Sequence, residues 1–395
     1  MKSMEITELF EAYYECRRNK RGTANALAFE LDYESNLFAL HGEIQSGTYE
    51  IGKSIAFIVD KPVKREIFAG DFRDRIIHHY IIRKLNPVFE KLFIHDSYSC
   101  REGKGTLFGI RRIDRFLRQA TTNYTKDAYV LKLDIQGFFM GIDRSILLSQ
   151  IFRIIDEKYL GDDRDELFQL CEKVILNDPT KNCTIKGKRE DWTGLPRSKS
   201  LFFSAPGIGL PIGNLTSQIF ANLYLHTLDV FIKKDLKIQY NGRYVDDFIL
   251  IHEDAEYLKG LIISIRTFLS EYLKLELHPK KIHFQHATKG VAFLGAYIKP
   301  YRIYVGKRIK GNFFQTIEEI NRMITGNANI LQDLKTQKLF LSKINSYLGL
   351  IYHYDSFTLR KKFLFSLHAS FWNHFYISEQ YRLVVAKTRE CFRDT

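Results

Sequence analysis

Residues 244–254, YVDDFILIHED, set two adjacent carboxylates, Asp246 and Asp247, inside a run that otherwise asks for a buried β-strand. Two such charges about 4 Å apart repel by ~4 kcal/mol at an effective dielectric of about 20. Successive side chains on a strand point to opposite faces, so a regular strand would also drive one charge into the protein. A tight turn removes the conflict, with residues 242–244 as one arm and 248–251 as the other, and a cation near the tip offsets the repulsion. Hard divalent cations take oxygen ligands, and Mg²⁺ commonly uses one or two carboxylates together with substrate phosphates. A hairpin with a solvated Asp-Asp turn is the competing reading, and for the dipeptide alone it is the better one.

A second isolated acid shifts the balance. Asp134 ends the β-prone run AYVLKLD at 128–134. Alone it would read as a strand-end cap. Paired with the 246/247 turn it offers a second place for cation ligation. Two cations about 3.5–4 Å apart, clamped by carboxylates, activate an attacking oxygen and stabilise a leaving one in phosphoryl transfer.

Charge indicates the partner. Lys plus Arg number 59 against 46 acids, a net +13 with a pI near 9.3, which predicts a polyanion: nucleic acid first, an anionic membrane second. Residues 307–395 carry fourteen Lys/Arg and seven Asp/Glu, so this stretch holds +7 of the excess. Its apolar residues recur at helical spacing, as in FFQTIEEINRMI and LFLSKINSYLGLIYHY, which predicts a basic helical C-terminal domain. No apolar run reaches the ~18 residues of a membrane span, and no sustained basic amphipathic helix supports a membrane-surface role. Cysteines 16, 100, 171, 183 and 391 form neither a CxxC pattern nor an even disulfide framework, which points to a reducing cytoplasm. Apolar content of 45% over 395 residues gives a globular chain, long enough for two or three subdomains and a large core.

Along the chain, 1–54 reads as mostly helical and 55–125 as a short strand with helices. A strand, a helix over 143–175, a long Gly/Pro/Lys-rich loop at 177–213 and a helix over 214–236 follow. Then come the hairpin at 238–252, a helix over 254–274 and strands near 281–285, 291–298 and 301–305. This order fits an α+β fold with an antiparallel sheet backed by helices. A loop as long as 177–213 is normally functional or disordered.

Five separated segments in order, LDIQGFF, GLPIGNLTSQ, YVDD, LHPKK and FLGAYI, resemble the palm of a reverse transcriptase over roughly residues 60–305. Retroviral and group II intron enzymes usually have Gln after the Pro of the second segment. Here that position is Ile212 and the segment ends Ser217-Gln218, a variant similar to the reverse transcriptases of diversity-generating retroelements. The resemblance implies a right-hand polymerase architecture: an N-terminal helical extension (1–54), fingers (55–125), palm (126–305, with the 177–213 insertion) and basic helical thumb (306–395). It implies an RNA-directed DNA polymerase whose catalytic aspartates are Asp134, Asp246 and Asp247. Two Mg²⁺ ions would be held by Asp134 and Asp246, with Asp247 in support and Ile135 among the metal-site positions.

Further roles follow from the same resemblance. Arg65, with Lys64 as a weaker candidate, matches the arginine on the incoming triphosphate. Phe139 stands where the family places the aromatic gate against a ribose 2′-OH, although either Phe138 or Phe139 could be core. Arg101 faces template or triphosphate. Ile212, Gly213 and Gln218 line the nascent base pair, and Tyr244 packs beside the primer end. Lys281, with Lys280 as alternative, matches a lysine near the leaving pyrophosphate, and Phe293-Leu294-Gly295 resembles the primer grip. Asp74-Arg75 is expected to be structural. The implied partners are an RNA template, a DNA or RNA primer, dNTPs and a small basic helical accessory oligomer, with low fidelity at template adenines and a bacterial, archaeal or phage origin. The alternatives are a retron, group II intron-like or phage-defence reverse transcriptase, or a nucleic-acid-binding assembly protein with an idle site.

Overall fold

The computed structural model describes residues 4–18, 22–61, 63–327 and 329–387. Residues 388–395 of the expected thumb, Cys391 included, lie outside them. The chain forms two compact units: Met1–Gly105 with Leu131–Phe284, and Thr106–Val130 with Gln285–Thr395. Among the described residues no helix is long and apolar enough to cross a membrane.

In the first unit, helices Ile6–Arg17 and Ala24–Glu30 pack on the long helix Phe72–Leu92, with Tyr13 edge-on to Phe72. Asp74 and Arg75 are structural, as expected. Asp74 is fully buried and accepts from the Tyr49 hydroxyl (2.8 Å) and the Gly52 N–H (3.0 Å), while Arg75 Nε donates to the Gly70 carbonyl (2.8 Å). Burial pushes the Asp74 carboxyl up to about 6.

Strands β1 (Ser54–Val59) and β2 (Arg65–Ala69) pair antiparallel, Ile55 opposite Ala69. Strand β3 (Tyr129–Asp134) comes next in the chain, and the unit boundary falls within it. The expected loop at 177–213 is more ordered than its composition suggests. It contributes β4 (Cys183–Ile185), parallel to β1, then three short 3₁₀ turns. A three-residue strand whose partner lies far away in sequence leaves no periodic signal. The single helix expected over 143–175 is two, Arg144–Lys158 and Arg164–Leu176. The bend between them seats Asp163, which accepts from the Tyr80 (2.9 Å) and Tyr159 (2.7 Å) hydroxyls and pairs with Lys84 (3.0 Å).

Strands β5 (Tyr240–Tyr244) and β6 (Asp247–His252) form the expected hairpin, and β7 (His283–His286) completes a sheet in the order β5-β6-β3-β7. The central four residues of β6, Phe248–Ile251, are buried without alternation. A strand packed on both faces reads as a continuous apolar run, which explains FILI in the sequence.

The second unit holds helix Thr106–Ala120 and a meander of β8 (Val291–Phe293), β9 (Ala296–Lys299) and β10 (Arg302–Val305). Leu294 and Gly295 form a two-residue turn with both φ angles positive. Helices Lys307–Gly326, Leu334–Ile351 and Phe357–Phe365 share a core that includes Phe313, Ile317, Phe340, Ile344 and Phe363. The expected helical character stops short of the end of the chain: β11 (Phe375–Ser378) and β12 (Leu383–Ala386) form a hairpin, favoured by the β-branched residues Ile377, Val384 and Val385.

Candidate active site

Tyr244 pairs with Asp247 across the hairpin, so the turn consists of Val245 and Asp246 alone. Val245 has φ +56°. A β-branched residue in the left-handed region is costly and persists only where its surroundings impose it. Arg243 supplies that constraint. Its side chain is 1% exposed and forks onto Asp229, Nε to Oδ1 at 2.7 Å and Nη2 to Oδ2 at 2.6 Å. Nη1 donates to the Val245 carbonyl (3.0 Å) and to Asn222 Oδ1 (3.1 Å). Position 242 must be glycine, because the Tyr98 ring occupies the space a Cβ would need.

The three acids meet at this turn. The N–H of Ile135, next to Asp134, donates to the Asp246 carbonyl at 3.3 Å, and the Asp134 carbonyl accepts from His278 N–H at 2.8 Å. Asp134 is clasped by Lys281, whose Nζ lies 2.8 and 2.9 Å from its two oxygens. Asp247 pairs with Lys132 at 3.0 Å. Lys132 and Asp134 stand two residues apart on β3 and so share a face of the sheet. Desolvation, followed by the Asp134 charge, pushes Asp246 up to about 6. Desolvation also pushes Asp247 up to about 6, with Lys132 opposing it.

This donor set suits a hard cation. Asp247 Oδ1 is buried without a hydrogen-bond partner, and Asp246 keeps a costly charge beside Asp134. Asp134, Asp246 and Asp247 are the side chains that could hold metal. Ile135 is buried and could offer only backbone. Among the described residues no group of three His, Cys, Asp or Glu is arranged to hold a metal ion, and lysines pair with two of the three carboxylates.

The remaining expected residues scatter. Arg65 is exposed at the head of β2. Lys64 Nζ donates to the Thr193 carbonyl (2.9 Å). Phe138 is core, and Phe139 is half-buried against a small cluster that also receives Ile212 and Trp192. Gly213 has φ +130°, and a Cβ there would meet Ile67 Cγ2 at 2.8 Å and the Phe68 carbonyl at 2.9 Å. The close approach it permits is therefore to β2 of this chain. Gln218 is exposed and accepts from Cys100 Sγ (3.2 Å), and Tyr244 is half-buried. Arg101 has a different employment from the one expected. Its side chain, 4% exposed, binds both Glu90 oxygens and the carbonyls of Ile94 (2.7 Å) and Ser97 (3.0 Å), so it anchors the chain and does not face a ligand. Sequence reasoning missed Arg243 and Asp229. The available signal was an arginine inside a strand two residues before the acidic turn.

The model of the family described as "Reverse transcriptase (RNA-dependent DNA polymerase)" matches residues 63–298, and the chain belongs to that family. Its fold class is that of the right-hand polymerases, α+β. Among curated proteins it is similar to Protein YkfC of Escherichia coli, 23% identical over 56% of this chain and 60% of YkfC. It is also similar to an uncharacterized 91 kDa protein in the cob intron of Schizosaccharomyces pombe, 25% identical over 45% of this chain and 18% of that protein. The chain thus spans less than two thirds of either relative. Solved structures similar to it include apo telomerase from Candida tropicalis, 14% identical over 80% of this chain and 61% of that one, TM-score 0.46. Telomerase from Candida albicans in complex with a fragment of telomeric RNA is 12% identical over 80% and 57%, TM-score 0.43.

Two predictions follow from the charge and the strain. Because burial raises Asp246 above its unfolded value, its ionised form costs stability. The cost is absent below about pH 4, grows up to about pH 6 and is full above that. Asp246→Asn should therefore stabilise the protein at pH 7–8 by roughly 1–3 kcal/mol, with no gain at pH 4; thermal melts at the two pH values check both. Arg243→Met should cost about 3–5 kcal/mol because Asp229 is left as an uncompensated buried charge, and Arg243→Met/Asp229→Leu should recover most of it, measured by urea unfolding.

Proposed function

We propose that the chain is an RNA-directed DNA polymerase of the diversity-generating retroelement type. The observation that carries the polymerase reading is the bond from Ile135 N–H to the Asp246 carbonyl, which brings the Asp134 strand end and the Asp246-Asp247 turn together. Bound by Asp134 and Asp246 with Asp247 in support, two Mg²⁺ ions would supply the charge that activates the primer 3′-OH and stabilises the departing pyrophosphate. Arg65 would hold the incoming triphosphate through its forked donors. Phe139 would exclude a ribose 2′-OH. Lys281, already in contact with Asp134, would donate a proton toward the leaving pyrophosphate. Catalysis rests on positioning and electrostatics. In this reading 55–125 are fingers, 126–305 palm and 306–395 a basic thumb that grips an A-form hybrid by its backbone. A template RNA, a primer and a small basic accessory oligomer are the partners.

The Lys281–Asp134 and Lys132–Asp247 pairs favour a second reading, a nucleic-acid-binding protein whose site is idle. Template-primed dNTP incorporation separates the two. The expected outcome is Mg²⁺-dependent extension on RNA that Asp246→Asn reduces to background. A signal equal in both proteins, or absent from both, sinks the polymerase reading. The retroelement subtype is supported by Ile212, an apolar group where related enzymes usually carry an amide. Ile212→Gln should lower misincorporation opposite template adenine, and an unchanged error spectrum removes the subtype.

A further inference from the structure

Glu66 occupies an unusual place. Strand β2 alternates, with Glu66 and Phe68 buried and Arg65 and Ile67 more exposed. Phe68 packs with Ala56, Met140 and Leu201, and Phe139, Ile212 and Trp192 lie against that cluster. A carboxylate on this face, 1% exposed, stands where a strand normally carries an apolar residue. An unpaired charge there would be prohibitive. Three donors satisfy it, all from the 177–213 insertion. Trp192 Nε1 (2.6 Å) and Ser200 Oγ (2.7 Å) donate to Oε2, and Leu201 N–H (2.6 Å) donates to Oε1.

The insertion also reaches the neighbours of Arg65 and of Phe139. On the β2 side the flanking Lys64 holds the Thr193 carbonyl, so Arg65 sits between two residues tied to the same loop. On the other side the loop abuts the turn that carries Phe139. The Ser198 carbonyl lies 3.0 Å from where a Cβ on Gly137 would stand, and Ser204 Oγ donates to the Met140 carbonyl (3.4 Å). Backbone bonds close the circuit, from Leu210 N–H to the Phe139 carbonyl (2.8 Å) and from Phe68 N–H to the Ile212 carbonyl (2.8 Å). The loop is built largely from 3₁₀ turns; Leu201 is buried against Phe68 and Phe202 packs on the Phe68 and Trp192 rings, so an apolar seat and the Glu66 bonds hold the same stretch, and only the bonds depend on direction.

We infer that Glu66 is a positioning residue for nucleotide selection. It latches the 177–213 insertion as a brace between the strand of Arg65 and the turn of Phe139, fixing the distance between the residue read as holding the triphosphate and the residue read as testing the sugar. This rests on the polymerase reading and assigns the insertion a part in it. Glutamine tests the latch without changing the volume. With its NH₂ in place of Oε2 it confronts the Trp192 N–H; with NH₂ in place of Oε1 it confronts the Leu201 N–H. The experiment is steady-state extension on one primed RNA template with dNTP and rNTP, for wild type, Glu66→Gln and Trp192→Phe, beside limited proteolysis of residues 186–204. The inference expects Glu66→Gln to raise the dNTP KM about tenfold, tenfold corresponding to one lost net interaction of ~1.4 kcal/mol, to change kcat less than threefold and to weaken the preference for dNTP over rNTP. Cleavage in 186–204 should be faster, and Trp192→Phe should move every readout in the same direction by less. Loosened cleavage with KM and sugar preference unchanged overturns it, as does a fall in kcat alone. A wild type that extends nothing defeats the polymerase reading itself, a result read without any variant.

Discussion

The buried Arg243–Asp229 pair is the interaction on which the candidate site depends. Replacing a buried ion pair by well-packed apolar residues is often neutral for stability, so its value here is geometric. The same guanidinium that forks onto Asp229 also reaches the Val245 carbonyl and both oxygens of Asn222. Helix, strand and turn are thereby fixed to one rigid, planar group. Lysine could not substitute, because its ammonium lacks the in-plane fork. Val245 stays in a region of backbone space it would not choose, and Asp246 is carried out of the line of β6 toward Asp134. The strain and its restraint lie at neighbouring positions of the same hairpin.

The carboxylates themselves form an unbalanced set. Two lysines serve three acids, and they differ in how firmly they are held. The Lys281 side chain is 50% exposed, whereas that of Lys132 is 20% exposed. Ion pairs with an exposed partner are worth little and exchange readily, so a cation at Asp134 would displace Lys281 at small cost. Lys132, on β3 beside Asp134, keeps hold of Asp247. Asp134 and Asp246 would then be the groups available for metal and Asp247 the one partly committed elsewhere, which would give the proposed inequality of the three acids a basis in packing. Lys281, once released, remains at the site through its backbone bond to the His278 carbonyl (3.1 Å).

What the sequence made legible was local. The 246/247 hairpin, the strand ending at Asp134 and the helices of the C-terminal unit each leave a period or a turn signature within ten or so residues. Phe139 is half-buried and Phe138 core, a choice periodicity could not make because it depends on the turn at Gly137 with φ +55°. Arg101 misled because a basic residue in a Gly-rich loop reads as ligand-facing, while its acceptors, Glu90 and the Ile94 and Ser97 carbonyls, are visible only when the chain closes. Glu66 and Asp229 were invisible for the same reason. A buried acid is recognised by its donors, and here the donors come from 14 residues away in one case and from 126 and more in the other.

The apolar side chain at 212 and the long insertion are then one feature. In related enzymes an amide usually follows the proline of this segment. Here the insertion brings Trp192, Leu201 and Cys183 against Phe68, and the side chain at 212 faces that same apolar cluster. An amide in this position would have to be buried without partners or turned outward, and a buried unsatisfied amide costs on the order of 1–3 kcal/mol. Isoleucine avoids the cost, and the Ile212 carbonyl remains bonded to Phe68 N–H, so the backbone course at 212 survives the exchange of side chain. The chemistry at the position that would face a base pair is thus constrained from behind, by a loop whose length marked it as functional or disordered but whose contacts the sequence did not show.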